Sequence, residues 1–273
     1  MLDSHTHSNY SMDSETPSED MVKRAIELGL DYYAITDHFN ADYINIAKLY
    51  RANSRELKYP LDLEGHIEDV LRLQDKYRDK LYVAVGVECG YSRESEAIYL
   101  DSLDRDRLDV IVNSIHTVDN GDIYDLQLYD GVNRDYIFKR YLECVRASID
   151  APYPYDIIGH IGYMSRKAPY PNNLFTMDEF GEEIDDILRA IIARNKCLEC
   201  NAKSKNTPYE FLPGREILTR YYELGGRKIS YGSDAHNTDR LAEKFDLIAS
   251  IAKSIGFAGF TYFVGGKPYL AKF

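Results

Sequence analysis

The first chemically informative feature of the sequence is a pair of histidines, His5 and His7, close to its start. Residues i and i+2 point to the same face of a β-strand, whereas they diverge by about 200° around a helix. On a strand, both imidazoles could therefore bind the same transition-metal ion. This spacing predicts a metal site that is built in part by the first strand.

Six of the seven histidines come at or just past the end of a short apolar run, and carboxylates accompany them there. His66 is the exception, because it lies in the amphipathic stretch LEGHIEDVLRL, where we expect a surface or core-edge histidine. A catalytic zinc ion uses three protein ligands plus water, so the set is large enough for two or three divalent ions, and its mixed chemistry suits Zn²⁺, Mn²⁺ or Fe²⁺. The candidate metal ligands are His5, His7, Asp13, His38, Glu88, His116, His160, Asp234 and His236.

These side chains need elements that bring them together. Short runs of β-branched and aromatic residues alternate about seven times with amphipathic stretches, which predicts a parallel sheet. We expect a (β/α) barrel of about seven strands, with an open doubly wound sheet as the alternative. In a barrel, the carboxyl ends of all strands meet at one face, where such enzymes keep their active sites. After the first strand, the predicted strands are 31–38, 81–88, 108–116, 155–160, 196–201 and 227–234.

Helix boundaries are also visible in the sequence. Two stretches, 16–19 and 176–179, match the capping-box pattern of a helix start. Gly29 and the pair at 225–226 are expected to end helices. The segment 39–60 is long for a strand-to-helix connection, which predicts a lid or a pocket wall.

Composition limits the classes of function. The formal net charge of −12 argues against a nucleic-acid-binding surface, and no apolar run approaches the roughly 18 residues that span a membrane. No secretory signal pattern precedes His5, so we expect a soluble, cytoplasmic protein. Cys197 and Cys200 are expected to be buried free thiols. No linker-like stretch interrupts the chain, which predicts a single domain over residues 1–273, and the sequence indicates no oligomeric state.

The motifs HTH, TDH, GVE, SIH, GHIG and GSDAH, in this order, resemble the polymerase and histidinol phosphatase (PHP) superfamily. The stretches DIIGHIGYMSRKAPY and GFAGFTYFVGGKPY resemble its histidinol-phosphatase branch. This resemblance implies a distorted (β/α)7 TIM-like barrel with a trinuclear metal site at the C-terminal face of the strands. It implies a first metal bound by His5, His7, Glu88 and Asp234, a second bound by Glu88, His116 and His160, and a third bound by Asp13, His38 and His236.

The sequence departs from the family at two positions. Asp13 stands where some relatives have histidine, and the identity and occupancy of the third metal depend on this ligand. Cys200 stands within LECN, where the branch has a more aliphatic EIN pattern.

The resemblance implies a metal-dependent histidinol-phosphatase that hydrolyses L-histidinol phosphate to L-histidinol and phosphate in histidine biosynthesis. We expect a metal-bridging hydroxide to attack the phosphorus in line. Arg166 and Lys203 follow strands by a few residues and are candidates for binding the substrate phosphate, with ordinary loop charges as the alternative. Asp37 and Asp119 are the candidate general acids.

Two other functions compete with this one. A phosphoesterase of the same family could act on another small phosphate ester or on a nucleotide, because loops recognise the leaving group. A non-catalytic metal-binding module is less favoured, because such a module should have lost ligands and here every ligand position is filled.

Overall fold

The computed structural model describes residues 1–43, 61–203 and 209–273. From position 44 onward, the predicted lid or pocket wall at 39–60 lies outside the described residues. The described strands are β1 (Leu2–Asp3), β2 (Tyr32–Phe39), β3 (Tyr82–Gly90), β4 (Val110–Ser114), β5 (Thr117–Val118), β6 (Gly121–Asp122), β7 (Ile157–Ile158), β8 (Cys197–Asn201), β9 (Ile229–Gly232), β10 (Gly259–Val264) and β11 (Lys267–Lys272).

Seven of these strands form one parallel sheet in the order β1-β2-β3-β4-β7-β8-β9. The sheet curls until its two edges meet, because the chain just after β1 bonds to the chain around the end of β9. The Ser4 amide donates to the Tyr231 carbonyl at 3.0 Å, and the His7 amide donates to the Ala235 carbonyl at 2.8 Å. The predicted seven-stranded barrel is therefore confirmed in preference to an open doubly wound sheet.

Helices alternate with the strands and cover the outside of the barrel, which buries the sheet on both faces. In β2, for example, every residue except His38 is buried. The described helices are α1 (Ser18–Glu27), α2 (Leu63–Tyr77), α3 (Glu96–Ser102), α4 (Arg134–Ile149), α5 (Met177–Ala193), α6 (Arg215–Glu223) and α7 (Phe245–Ile255).

The predicted helix boundaries have different outcomes. Thr176 caps α5, since its side chain accepts the Glu179 amide, and Gly29 follows the end of α1 with a φ of 73°. The prediction of a capping box at 16–19 is wrong, because no side chain caps the start of α1. The Thr16 hydroxyl lies instead 3.3 Å from the His236 carbonyl oxygen, in the loop after β9.

A β-hairpin that the sequence analysis did not anticipate, β10–β11, closes the end of the barrel where the strands begin. The hydroxyl of Tyr32, the first residue of β2, donates to the Phe263 carbonyl at 2.8 Å. The Gly265 amide donates at 2.7 Å to the carboxylate of Asp109, which precedes β4. The hairpin does not cover the opposite end of the barrel, where the strands end and the candidate metal ligands lie. In the part of the chain that the structure describes, no helix has both the length and the apolar character needed to cross a membrane.

Candidate metal centre

Glu88, near the end of β3, lies at the centre of the histidine cluster and is fully buried. Its Oε1 atom is 2.7 Å from His160 Nε2 and 3.2 Å from His116 Nε2. Its Oε2 atom is 2.8 Å from His38 Nδ1 and 3.3 Å from His5 Nε2. One carboxylate is thus contacted through both oxygens by four imidazoles that come from four parts of the barrel.

The remaining predicted ligands surround this core. His7 Nε2 is 3.4 Å from Asp234 Oδ1. Asp13 lies at the exposed rim, where its oxygens are 2.9 Å from His236 Nε2 and 3.5 Å from His38 Nε2. The structure therefore brings together all nine side chains that the sequence places at strand ends.

The donor atoms suit metal ions. Buried polar atoms in proteins normally have hydrogen-bond partners. Nε2 of His5, Nε2 of His7, Nδ1 of His38 and Oε2 of Glu88 lie close to one another, but among the described residues none of them has a contact with the geometry of a hydrogen bond. Several groups of three side chains also present one ligand atom each within 4.8 Å of one another. These groups are His5–His7–Asp234, His5–Glu88–His160, His38–Glu88–His116 and His7–His38–His236.

The electrostatics of the cluster favour ionised carboxylates. Burial alone would raise the pKa of Glu88, but the neighbouring charges of His5, His116 and His38 lower it well below its ordinary value. Burial alone would likewise raise the pKa of Asp234, but Lys203, His7 and Arg166 together outweigh burial and lower it well below its ordinary value. Metal ions bind carboxylates in this deprotonated form.

Glu199 is a contributor that the sequence analysis missed. Its Oε1 atom is 2.6 Å from His5 Nδ1, and its Oε2 atom accepts the His160 amide at 2.8 Å. Burial lowers the pKa of His5, but Glu199 and then Glu88 outweigh burial and raise it well above its ordinary value. A carboxylate of this kind fixes the orientation of a metal-binding imidazole. The signal was present in LECN, because a glutamate inside an apolar strand is rarely buried without a partner.

Asp37, a candidate general acid, is not among the residues that line the cavity over the metal centre. Its side chain is fully buried and accepts hydrogen bonds from the amides and the hydroxyls of Ser8 and Ser11. Burial raises its pKa, but His66 and these hydrogen bonds outweigh burial and lower it below the ordinary value. A general acid needs access to the leaving group, which Asp37 lacks in this buried position, and its role as a general acid stays a prediction.

His66 differs from its predicted position as well. It is fully buried, not at the surface or the core edge, with Nε2 2.8 Å from the Gly86 carbonyl oxygen. Its Nδ1 atom is 3.1 Å from Asp37 Oδ2. His66 therefore links α2 to two strands of the barrel, β3 through Gly86 and β2 through Asp37.

Asp119, the other candidate general acid, is also placed away from the metal centre. It pairs with Arg140, whose Nη2 is 2.7 Å from Asp119 Oδ1. Together with Tyr91 these residues line a separate cleft. Asp119 does not line the cavity over the metal centre, and its role as a general acid stays a prediction.

The two candidate phosphate-binding residues occupy different positions. Lys203 lines the cavity above the metal centre, with Nζ 3.1 Å from Asp234 Oδ1. Arg166 is buried behind Asp234, at 3.2 Å from its Oδ2, and donates to Asn201 Oδ1 at 2.8 Å. Arg166 therefore holds a candidate ligand in place and is not among the residues that line the cavity, and phosphate binding by Arg166 stays a prediction. Phosphate binding by Lys203 stays a prediction.

The cavity over the cluster has a volume of about 440 Å³, within the range typical of small-molecule sites. Seven of the nine candidate ligands reach its surface, and polar and aromatic side chains with one methionine form the rest of the wall. The wall includes Met12, Asn40, Tyr43, Asp122, Tyr124, Tyr163 and Lys203 in addition to Asp13, His38, Glu88, His116, His160, Asp234 and His236.

The sequence is similar to those of known proteins along nearly the whole chain. The chain is 26% identical over 272 residues to the histidinol-phosphatase of Lactococcus lactis, covering 97% of this chain and 95% of that protein. It is also 26% identical over 254 residues to the probable histidinol-phosphatase of Clostridium acetobutylicum, covering 93% of each.

The chain also resembles a solved structure and matches a protein-family model. The crystal structure of histidinol phosphate phosphatase from Lactococcus lactis, complexed with zinc, L-histidinol and phosphate, superposes with a TM-score of 0.84 at 25% identity and 98% coverage of both chains. The family model named PHP domain matches residues 3–203, which include all the candidate ligands except Asp234 and His236. From this match, the chain belongs to the PHP domain family.

Proposed function

We propose that this chain is a metal-dependent phosphoric monoester hydrolase that converts L-histidinol phosphate to L-histidinol and phosphate, a step of histidine biosynthesis. The observation that carries the proposal is the convergence of six imidazoles and two further carboxylates around Glu88 at the open end of the barrel. The similarity to histidinol-phosphatases over nearly the full length of the chain supports this substrate.

The nine clustered side chains would hold two to three divalent ions, and zinc, manganese and iron all suit the mixed imidazole and carboxylate donors. Zinc is the ion in the solved relative. Divalent ions bound there would lower the pKa of a water molecule and neutralise the phosphoryl oxygens. Glu88 would help to hold the ions through both of its oxygens, because both oxygens face imidazoles.

The chain's own residues would supply the rest of the site. Glu199 and Ser114 hold His5 and Glu88 in fixed orientations, through contacts of 2.6 Å each. Lys203 places a positive charge at the cavity wall, where it would attract a phosphate dianion. The single domain over residues 1–273 and the cytoplasmic location stay predictions.

We expect the protein, purified without chelators, to contain two to three transition-metal ions per chain. The reason is that nine donor side chains converge, whereas one catalytic zinc ion uses three. Elemental analysis by plasma mass spectrometry measures the ratio directly. One ion or fewer per chain, even after reloading with zinc, manganese or iron, would contradict a multinuclear centre.

The substrate assignment is tested by steady-state kinetics on zinc- or manganese-loaded enzyme. We expect kcat/KM for L-histidinol phosphate to exceed that for simple alkyl or sugar phosphates by about 100-fold or more, because the polar cavity wall would be left unpaired by those esters. A nucleotide or sugar phosphate that reacts with equal or higher kcat/KM would overturn the histidinol assignment. The phosphatase assignment would survive that result.

A further inference from the structure

One acidic side chain in the cavity wall is not used by the metal centre. Four carboxylates line the cavity within the described residues, and three of them, Asp13, Glu88 and Asp234, belong to the candidate ligand set. The fourth is Asp122, in β6 of the short hairpin that follows β4.

The hairpin holds Asp122 beside the metal centre. β5 and β6 pair antiparallel with Thr117 opposite Asp122, so the hairpin starts directly after His116. The amide of Ile123 donates to the His116 carbonyl at 3.0 Å, which anchors the return strand to the end of β4. Asp122 is therefore fixed to the same strand end as a candidate ligand.

The Asp122 carboxylate accepts hydrogen bonds but forms no ion pair with a lysine or arginine of the described residues. Its Oδ1 atom accepts the Tyr124 amide at 2.7 Å, and the Tyr43 hydroxyl bonds to the same carboxylate. Burial raises its pKa above the ordinary value, although these hydrogen bonds and the charge of His116 act in the opposite direction. A bound cation would offset this cost of burial.

Aromatic rings extend from Asp122 toward the metal centre. The rings of Tyr124 and Tyr163 lie 5.3 Å apart, and Tyr163 stacks on His160 at 4.7 Å. All three side chains line the cavity. Such a wall offers apolar and π contact to a flat heterocycle and a favourable surface to a cation.

The charges of the cavity wall are separated. Lys203, just past the end of β8, lies beside Asp234 and the metal centre, whereas Asp122 lies on the hairpin after β4. In the sheet, β7 separates β4 from β8. Lys203 and the metal centre thus lie on one side of the cavity and Asp122 on the other, which matches a ligand with phosphate at one end and an amine at the other.

We propose that Asp122 is a specificity-determining residue that binds the ammonium group of the substrate. The proposal rests on the proposed function, since it assigns the cationic end of the same phosphate ester. Charge-assisted hydrogen bonding to a half-buried carboxylate discriminates strongly, because the analogue that lacks the amine leaves the carboxylate unpaired.

The test compares two esters on metal-loaded wild-type enzyme and on Asp122→Asn. The esters are L-histidinol phosphate and 3-(imidazol-4-yl)propyl phosphate, which differ only by the amine. Asparagine keeps the acceptor for the Tyr124 amide, so the turn is retained. We expect the variant to lose about 10- to 100-fold in kcat/KM on L-histidinol phosphate and less than threefold on the amine-free ester.

The matched control is Asp130→Asn, which removes the same charge from an exposed position outside the cavity, eight residues away. It should leave the ratio of kcat/KM between the two esters unchanged. Equal losses on both esters in Asp122→Asn, or no loss on either, would overturn the role of Asp122. Failure of the wild-type enzyme to hydrolyse L-histidinol phosphate would instead overturn the proposed function, so the two failures are distinguishable.

Discussion

Replacement of Glu88 by glutamine is expected to lower kcat by about a thousandfold or more with the fold retained. Glutamine has nearly the same shape, but it removes the negative charge and replaces one of the two oxygens that face His38, His116 and His160. Loss of an outer partner of a metal ligand typically costs about 10- to 100-fold in activity or metal affinity. Loss of a ligand that two ions would share should cost more.

The measurement is kcat on the metal-loaded variant, together with its metal content and circular dichroism spectrum. His116→Ala should lose activity in the same way, because its Nε2 lies 3.2 Å from Glu88 Oε1. The matched control is Glu68→Gln, at an exposed position of α2, which should keep wild-type kcat. A kcat near the wild-type value in fully metallated Glu88→Gln would refute the central role of this carboxylate.

The barrel and the convergence of the ligands were predictable because both follow from local patterns. Alternation of apolar runs and amphipathic stretches indicates parallel strands, and parallel strands end at one face. Residues such as His116 and His160, which are 44 positions apart in the sequence, therefore come to share contact with Glu88. Placement at a strand end was enough to find them, without knowledge of any contact.

The surrounding contacts were not predictable, because each depends on a partner that is distant in sequence. Thr16 has the local pattern of a helix cap, but its hydroxyl finds the His236 carbonyl 220 residues away. Asp37 precedes a candidate ligand and so looked available for proton transfer, but α2 brings His66 against it. Tertiary contacts of this kind override local preferences and leave no periodic signal.

The buried network of Asp37 links the fold to the metal centre. Its Oδ1 atom accepts the Ser8 amide at 2.6 Å and the Ser11 hydroxyl at 2.5 Å. The same Ser11 hydroxyl oxygen accepts the His38 amide at 3.0 Å and lies 3.1 Å from His7 Nδ1. Asp37 thereby positions the loop after His7, although it does not reach the cavity.

Replacement of Asp37 by alanine is therefore expected to cost about 3–5 kcal/mol in the free energy of unfolding. The change leaves the amide and hydroxyl donors of Ser8 and Ser11 buried without their acceptor, and it leaves His66 Nδ1 without its carboxylate partner. Removal of one partner from a buried charged network typically costs this much free energy. Urea unfolding of chelator-treated protein, followed by circular dichroism, measures the effect apart from metal binding. The matched control is Asp75→Ala, which removes a carboxylate from a highly exposed pair with Arg78 and should leave the urea midpoint unchanged. A loss below about 1 kcal/mol for Asp37→Ala would mean that the serine loop and His66 find other partners, and that the network does not hold the loop after His7 in place.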